Sequence, residues 1–76
     1  MNFMNELCVN ESGVISALLC KGALRRRFLD IGLFKGSKVK KVSTSPLGDP
    51  SCYLINGTMV AIRRKDAAKV GINKTK

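Results

Sequence analysis

The sequence has no histidine and no tryptophan, and among its 76 residues only five are acidic, two are proline and one is tyrosine. Without histidine it lacks both the commonest general base near neutral pH and the commonest metal ligand. The five acids, Glu6, Glu11, Asp30, Asp49 and Asp66, are scattered, and no two are spaced to share one face of one element. Paired-carboxylate catalysis therefore has no material, and the chain is read as a non-enzyme. No apolar run approaches the roughly 20 residues needed to cross a bilayer, and the longest, Val14 to Cys20, is interrupted by Ser16. Met1 to Cys20 contains no lysine, no arginine and no continuous apolar stretch, so it does not read as a signal peptide. These absences predict a cytoplasmic protein.

Cysteine is sparse too. Cys8, Cys20 and Cys52 are odd in number and lack a C-x-x-C spacing, which excludes a disulfide framework and argues against a paired-ligand metal site. They read as reduced thiols at apolar positions. Neither G-x-x-x-x-G-K-[ST] nor G-x-G-x-x-G occurs, so no phosphate loop is present. No metal and no cofactor are expected.

What the chain has in excess is positive charge: 14 Lys and Arg against five acids give a net charge of +9. All 14 bases follow Cys20, whereas residues 1–20 carry Glu6 and Glu11. Such a field favours an acidic partner. The runs Arg25-Arg26-Arg27, Lys40-Lys41 and Arg63-Arg64-Lys65 have the charge to meet phosphates. The only aromatics are Phe3, Phe28, Phe34 and Tyr53, however, and Phe28 and Tyr53 are assigned to the interior. Few rings are left to stack on bases, so nucleic-acid binding is kept as the alternative to a solvated basic face.

A chain this short builds a single core and buries roughly 60% of the surface its unfolded form exposes. Asn10 to Gly13 reads as a turn, Val14 to Leu19 as the first strand, and Ala23 to Ile31 as a helix, because Leu24, Phe28 and Ile31 recur at i, i+4 and i+7. Gly32 stands where a helix ends in a left-handed residue. Ser37 to Ser45 is extended, with the Val39–Val42 spacing predicting a bulge near Lys40 and Lys41. After the turn Pro46 to Pro50, Cys52 to Ile55 and Thr58 to Arg63 form a hairpin about Asn56-Gly57. Asp66 is expected to cap a helical turn through Lys69, Val70 to Ile72 to add a last strand, and residues 73–76 to fray. The sum is a mostly β fold, a small barrel of about five strands with one short inserted α-helix, its core about residues 7–72.

The segment Arg26-Arg27-Phe28-Leu29-Asp30-Ile31-Gly32-Leu33-Phe34-Lys35-Gly36 resembles the R-R-L-x-x-[ML]-G-[LI]-x-x-G pattern of the FeoA family of bacterial ferrous iron transport accessory proteins. Pro46 to Pro50, Asn56-Gly57, Val60 to Arg64 and Asp66-Ala67-Ala68 follow in the family's order. The chain departs from the pattern at Asn10, where the family has glycine, and at Lys41, where it has an apolar residue. The resemblance implies an SH3-like barrel with an inserted helix. It also implies a partner, the FeoB transporter with its cytosolic GTP-binding domain, whose contact would draw the protein to the inner face of the cell membrane. Candidate contact residues are Leu29, Phe34 and Leu47, ringed by Arg25, Arg26, Arg63 and Arg64. Iron carriage is not expected, since Fe²⁺ needs clustered N and O ligands. The open strand edges of a short barrel leave weak homodimerisation possible.

Overall fold

In the computed structural model, which describes residues 2–75, the alternating apolar positions form six antiparallel strands around one core. The elements are β1 (Asn2–Phe3), a 3-10 turn (Met4–Glu6), β2 (Ser12–Leu18), α1 (Gly22–Asp30), β3 (Lys38–Thr44), β4 (Ser51–Ile55), β5 (Thr58–Ile62), α2 (Arg64–Ala67) and β6 (Val70–Thr75). They make one sheet in the order β1-β6-β2-β3-β4-β5. This is the small barrel expected, but its pairings leave β1 and β5 as two ends. Strand β4 shows the period-2 logic plainly: Ser51, Tyr53 and Ile55 are buried while Cys52 and Leu54 are half-covered. Helix α1 closes one side of the core through Phe28, with Leu24 and Ile31 packed partly beside it.

Turn chemistry behaves as its residues dictate. Asn56 (φ 49°) and Gly57 (φ 86°) are both left-handed, which a type I′ hairpin needs, and β4 and β5 pair across them. Gly32 (φ 90°) ends α1. The expected bulge in β3 lies between Lys41 and Ser43, where the pairing with β4 shifts by a residue at Val42.

Several expectations are corrected. Strand β2 starts at Ser12, so Gly13 is in the sheet, and the turn before it centres on Val9 and on Asn10, whose φ is 75°. A sixth strand, β1, pairs with β6 through Asn2↔Ile72 and Phe3↔Gly71, and the turn after it buries Met4 fully. The core thus begins before residue 7. Strand β6 does not fray after Ile72, because Asn73, Lys74 and Thr75 pair with Val14, Gly13 and Ser12; Lys76 lies outside the described residues. Cys20 is buried and Cys52 half-buried, as thiols filling apolar positions, but Cys8 is exposed. Its backbone N–H donates to Glu11 Oε1 at 2.7 Å, and this bond, more than the nearby Lys74 ammonium, holds the Glu11 carboxyl below its usual range.

Helix α2 also starts earlier than expected. Asp66 lies inside it and does not cap it; the acceptor is Asp49 Oδ1, which takes the Arg64 N–H at 2.8 Å from the loop between β3 and β4. Asp49→Ala is expected to cost about 1 kcal/mol, read as a urea midpoint lowered by about 1 M at the m-value of a small domain. Asp49→Asn keeps an acceptor and is expected to restore most of the loss. Equal losses in both variants would show that the cap is not the source.

Candidate functional site

The stripe that makes α1 amphipathic also makes it a wall. Phe28 is inserted in the core, but Leu24 and Ile31 keep part of their surface exposed, and they face the half-buried Val60 of β5 across a groove of about 250 Å³. Arg27 of α1 and Arg63 at the end of β5 stand along it, Pro50 closes it from the loop, and Asp66 is the one carboxylate among its lining residues. Apolar in its floor and basic on its margins, the groove suits a partner that presents apolar and acidic groups together.

A second hollow of about 220 Å³ is polar, bringing Lys41 and Arg64 together with Ser51, Thr44 and Tyr53. Lys41 reaches it because it pairs with Tyr53 just before the bulge, which places both side chains on one face of the sheet. The Tyr53 hydroxyl donates to the Met4 carbonyl oxygen at 3.4 Å. Burial pushes this phenol above its usual range; the Ser51 hydrogen bond opposes the rise, Asp49 adds to it, and Arg64 opposes it.

A third hollow, about 510 Å³, is an open depression on the outer sheet face, with Lys38 and Lys40 beside Val14 and Leu54. None of its lining residues is aromatic. A nucleic-acid strand would find phosphate contacts there and nothing on which to stack its bases.

The seven residues singled out from the sequence do not converge on one site. Leu47 is 94% exposed at the tip of the β3–β4 loop, and Leu29 and Phe34 are 42% and 47% exposed near the end of α1. None of these three lines a hollow described above. Arg25 and Arg26 are exposed on α1, where Arg25 Nη1 donates to the Leu18 carbonyl at 3.4 Å. Arg63 lines the apolar groove and Arg64 the polar hollow. From the sequence, Leu24 and Ile31 belong to the apolar stripe of the helix and Arg27 to a basic run with the charge to meet phosphates; the groove these residues line together with Val60 was not anticipated. The signal was available in the i, i+4, i+7 stripe, since a helix covering a small sheet leaves the margins of its stripe uncovered. Among the described residues no three His, Cys, Asp or Glu side chains gather to hold a metal ion, and no helix is long and apolar enough to cross a membrane.

Comparison with known proteins places these features in a family. The chain is 35% identical over 69 residues to a Porphyromonas gingivalis protein described as an Fe(2+) transport protein A/Fe(2+) transporter FeoB fusion. The match takes in 91% of this chain and 8% of that protein, so the chain spans a small part of the fusion's length. The solution structure of the FeoA protein from Chlorobium tepidum superposes with a TM-score of 0.93 at 29% identity, covering 99% of this chain and 71% of that one. The crystal structure of Stenotrophomonas maltophilia FeoA, described as a procaryotic SH3 domain protein complexed with zinc, gives 0.84 at 26% identity over 96% and 91%. The family model for the FeoA domain matches residues 4–74. With nearly the whole chain matched and the same small barrel on both sides of the comparison, this protein belongs to the FeoA domain family.

Proposed function

We propose that this chain is a cytosolic accessory domain of ferrous iron uptake that acts by contact with the cytosolic GTP-binding part of a FeoB-type transporter. The observation that carries the reading is the fusion relative, in which the counterpart of nearly all of this chain shares one polypeptide with the FeoB transporter. Linkage in one polypeptide holds two modules at high effective concentration, which favours a contact between them. The chemistry of the surface agrees with the role. A net charge of +9, exposed Leu29, Phe34 and Leu47, and bases on both flanks of an apolar groove make a partner-facing exterior. The bases also fit transient attraction to an anionic membrane surface beside the transporter.

Exposed apolar side chains contribute to docking only where the partner covers them, and isolated ones on a protein surface are common. The double variant Leu47→Asp with Phe34→Asp is therefore expected to weaken capture by the transporter's purified cytosolic domain at least tenfold in a pull-down or calorimetric titration. Unchanged capture by that variant would remove these two residues from the contact. Failure of the unmodified chain to be captured at all would remove the proposed function.

A further inference from the structure

Strand β5 is an end of the sheet, and its backbone has an open side. In a hairpin closed by a two-residue turn the flanking residues form a hydrogen-bonded pair. With Ile55↔Thr58, Tyr53↔Val60 and Ser51↔Ile62 in register, the ladder to β4 is made by Thr58, Val60 and Ile62. Met59 and Ala61 occupy the alternate positions, so their N–H and C=O groups point away from β4. No strand of the described residues lies on that side, and neither residue makes another backbone hydrogen bond. Both are exposed.

That open edge runs along the apolar groove against α1. An incoming extended segment would therefore find backbone partners on one side and the partly exposed Leu24 and Ile31 on the other. An edge strand flanked by a helix is the arrangement that takes up extended peptides by strand addition, with main-chain bonds supplying affinity and alternate side chains supplying selectivity. Charge decides between the possible occupants. Arg27 and Arg63 border the groove, and neither has a carboxylate of the described residues within ion-pair distance, since the one ion pair found is Lys74–Glu11. A second copy docked edge to edge would bring two such arginine margins together on chains of +9 each. An acidic segment meets the same margins with opposite charge.

We infer that the open edge of β5 takes up an extended, acidic segment of a protein partner as an added strand, with apolar side chains toward α1 and carboxylates toward Arg27 and Arg63. This rests on the protein-contact reading above and adds the chemistry of the contacting segment.

The test titrates the isotope-labelled full chain with a capped seven-residue peptide of alternating valine and glutamate, followed by amide chemical shifts. The perturbations are expected to centre on Met59 and Ala61, with slowed exchange of those two amides. Replacing glutamate by lysine in the peptide, or N-methylating the alternate residues that face β5, is expected to weaken binding at least tenfold, and Arg27→Glu with Arg63→Glu in the protein to do the same. No perturbation at millimolar peptide, perturbations centred elsewhere, or indifference to N-methylation in both alternate sets would overturn the inference. Concentration-dependent shifts of the β5 amides without peptide would assign the edge to a second copy and overturn it as well.

Ala61→Pro separates this inference from the function on which it rests. It removes only an outward N–H, which an edge strand tolerates, and a retained amide spectrum confirms the fold. Capture of the transporter's cytosolic domain is expected to be lost in this variant. If capture persists, the β5 edge is not the contact while the accessory role stands; if the unmodified chain is not captured, the accessory role falls and the peptide titration decides the edge independently.

Discussion

Phe28→Ala is expected to leave the chain largely unfolded at 25 °C. The ring is 3% exposed and is the side chain by which α1 enters the core. Truncating a buried phenylalanine removes its transfer free energy and leaves a cavity, together about 3–5 kcal/mol. A single core of this size rarely supplies more than about 3–5 kcal/mol in total. The two magnitudes are equal, so one substitution exhausts the stability. Urea titration should show a midpoint lowered by about 3 M, or no folded baseline at all, at an m-value near 1 kcal/mol per molar. Phe28→Leu keeps most of the apolar volume and should give a visibly smaller shift. A midpoint lowered by less than about 1 M in Phe28→Ala would mean that α1 is held by other contacts. The same ring also lines the groove between α1 and β5, so the shape of the groove and the stability of the core are lost together.

Those parts of the fold that follow from local rules are legible in the sequence. The helical period of Leu24, Phe28 and Ile31, the positive φ demanded at Asn56 and Gly57, and the bulge signalled by Val39 and Val42 all appear where their chemistry requires. What local rules do not reach is pairing between distant segments. Asn2 and Phe3 have no pattern of their own and become a strand because Ile72 and Gly71 offer an edge. Residues 73–75 look like a polar tail until Ser12, Gly13 and Val14 are placed beside them. Asp49 caps a helix 15 residues further on, beyond the three-residue reach of capping rules, and the nearer Asp66 was the natural local choice. The candidate site was harder for the same reason. Exposure of Leu29, Phe34 and Leu47 could be anticipated residue by residue, whereas the groove exists only because β5 ends the sheet beside α1, which depends on where β6 and β1 pair.

The second large effect is expected at Ser37, the polar residue that fixes α1 against the β4–β5 hairpin. Its hydroxyl is 3% exposed as a residue, donates to the Gly32 carbonyl at 2.7 Å and accepts from the Phe34 N–H at 3.2 Å. Asn56 Nδ2 reaches the same Gly32 carbonyl at 3.1 Å and the Ser37 oxygen at 3.4 Å. The residue that supplies the left-handed turn of the hairpin therefore also holds the end of the helix. Ser37→Ala leaves the Phe34 N–H without its acceptor and the Gly32 carbonyl with one donor fewer, which should cost about 2 kcal/mol, the middle of the range for an orphaned buried group. The urea midpoint should fall by about 2 M. Because Asn56 shares the cluster, Ser37→Ala combined with Asn56→Gly, which preserves the turn, should cost less than the sum of the two singles. Additivity within about 0.5 kcal/mol would show that the two act separately. In the single variant, where the barrel still folds, the end of α1 keeps the Asn56–Gly32 bond to the hairpin but loses the Asn56–Ser37 bond and the local bonds that brace it. Affinity for the valine–glutamate peptide should then fall while the amide spectrum of the sheet stays in place, because the groove is a distance between two elements and Ser37 shares with Asn56 the cluster that holds it.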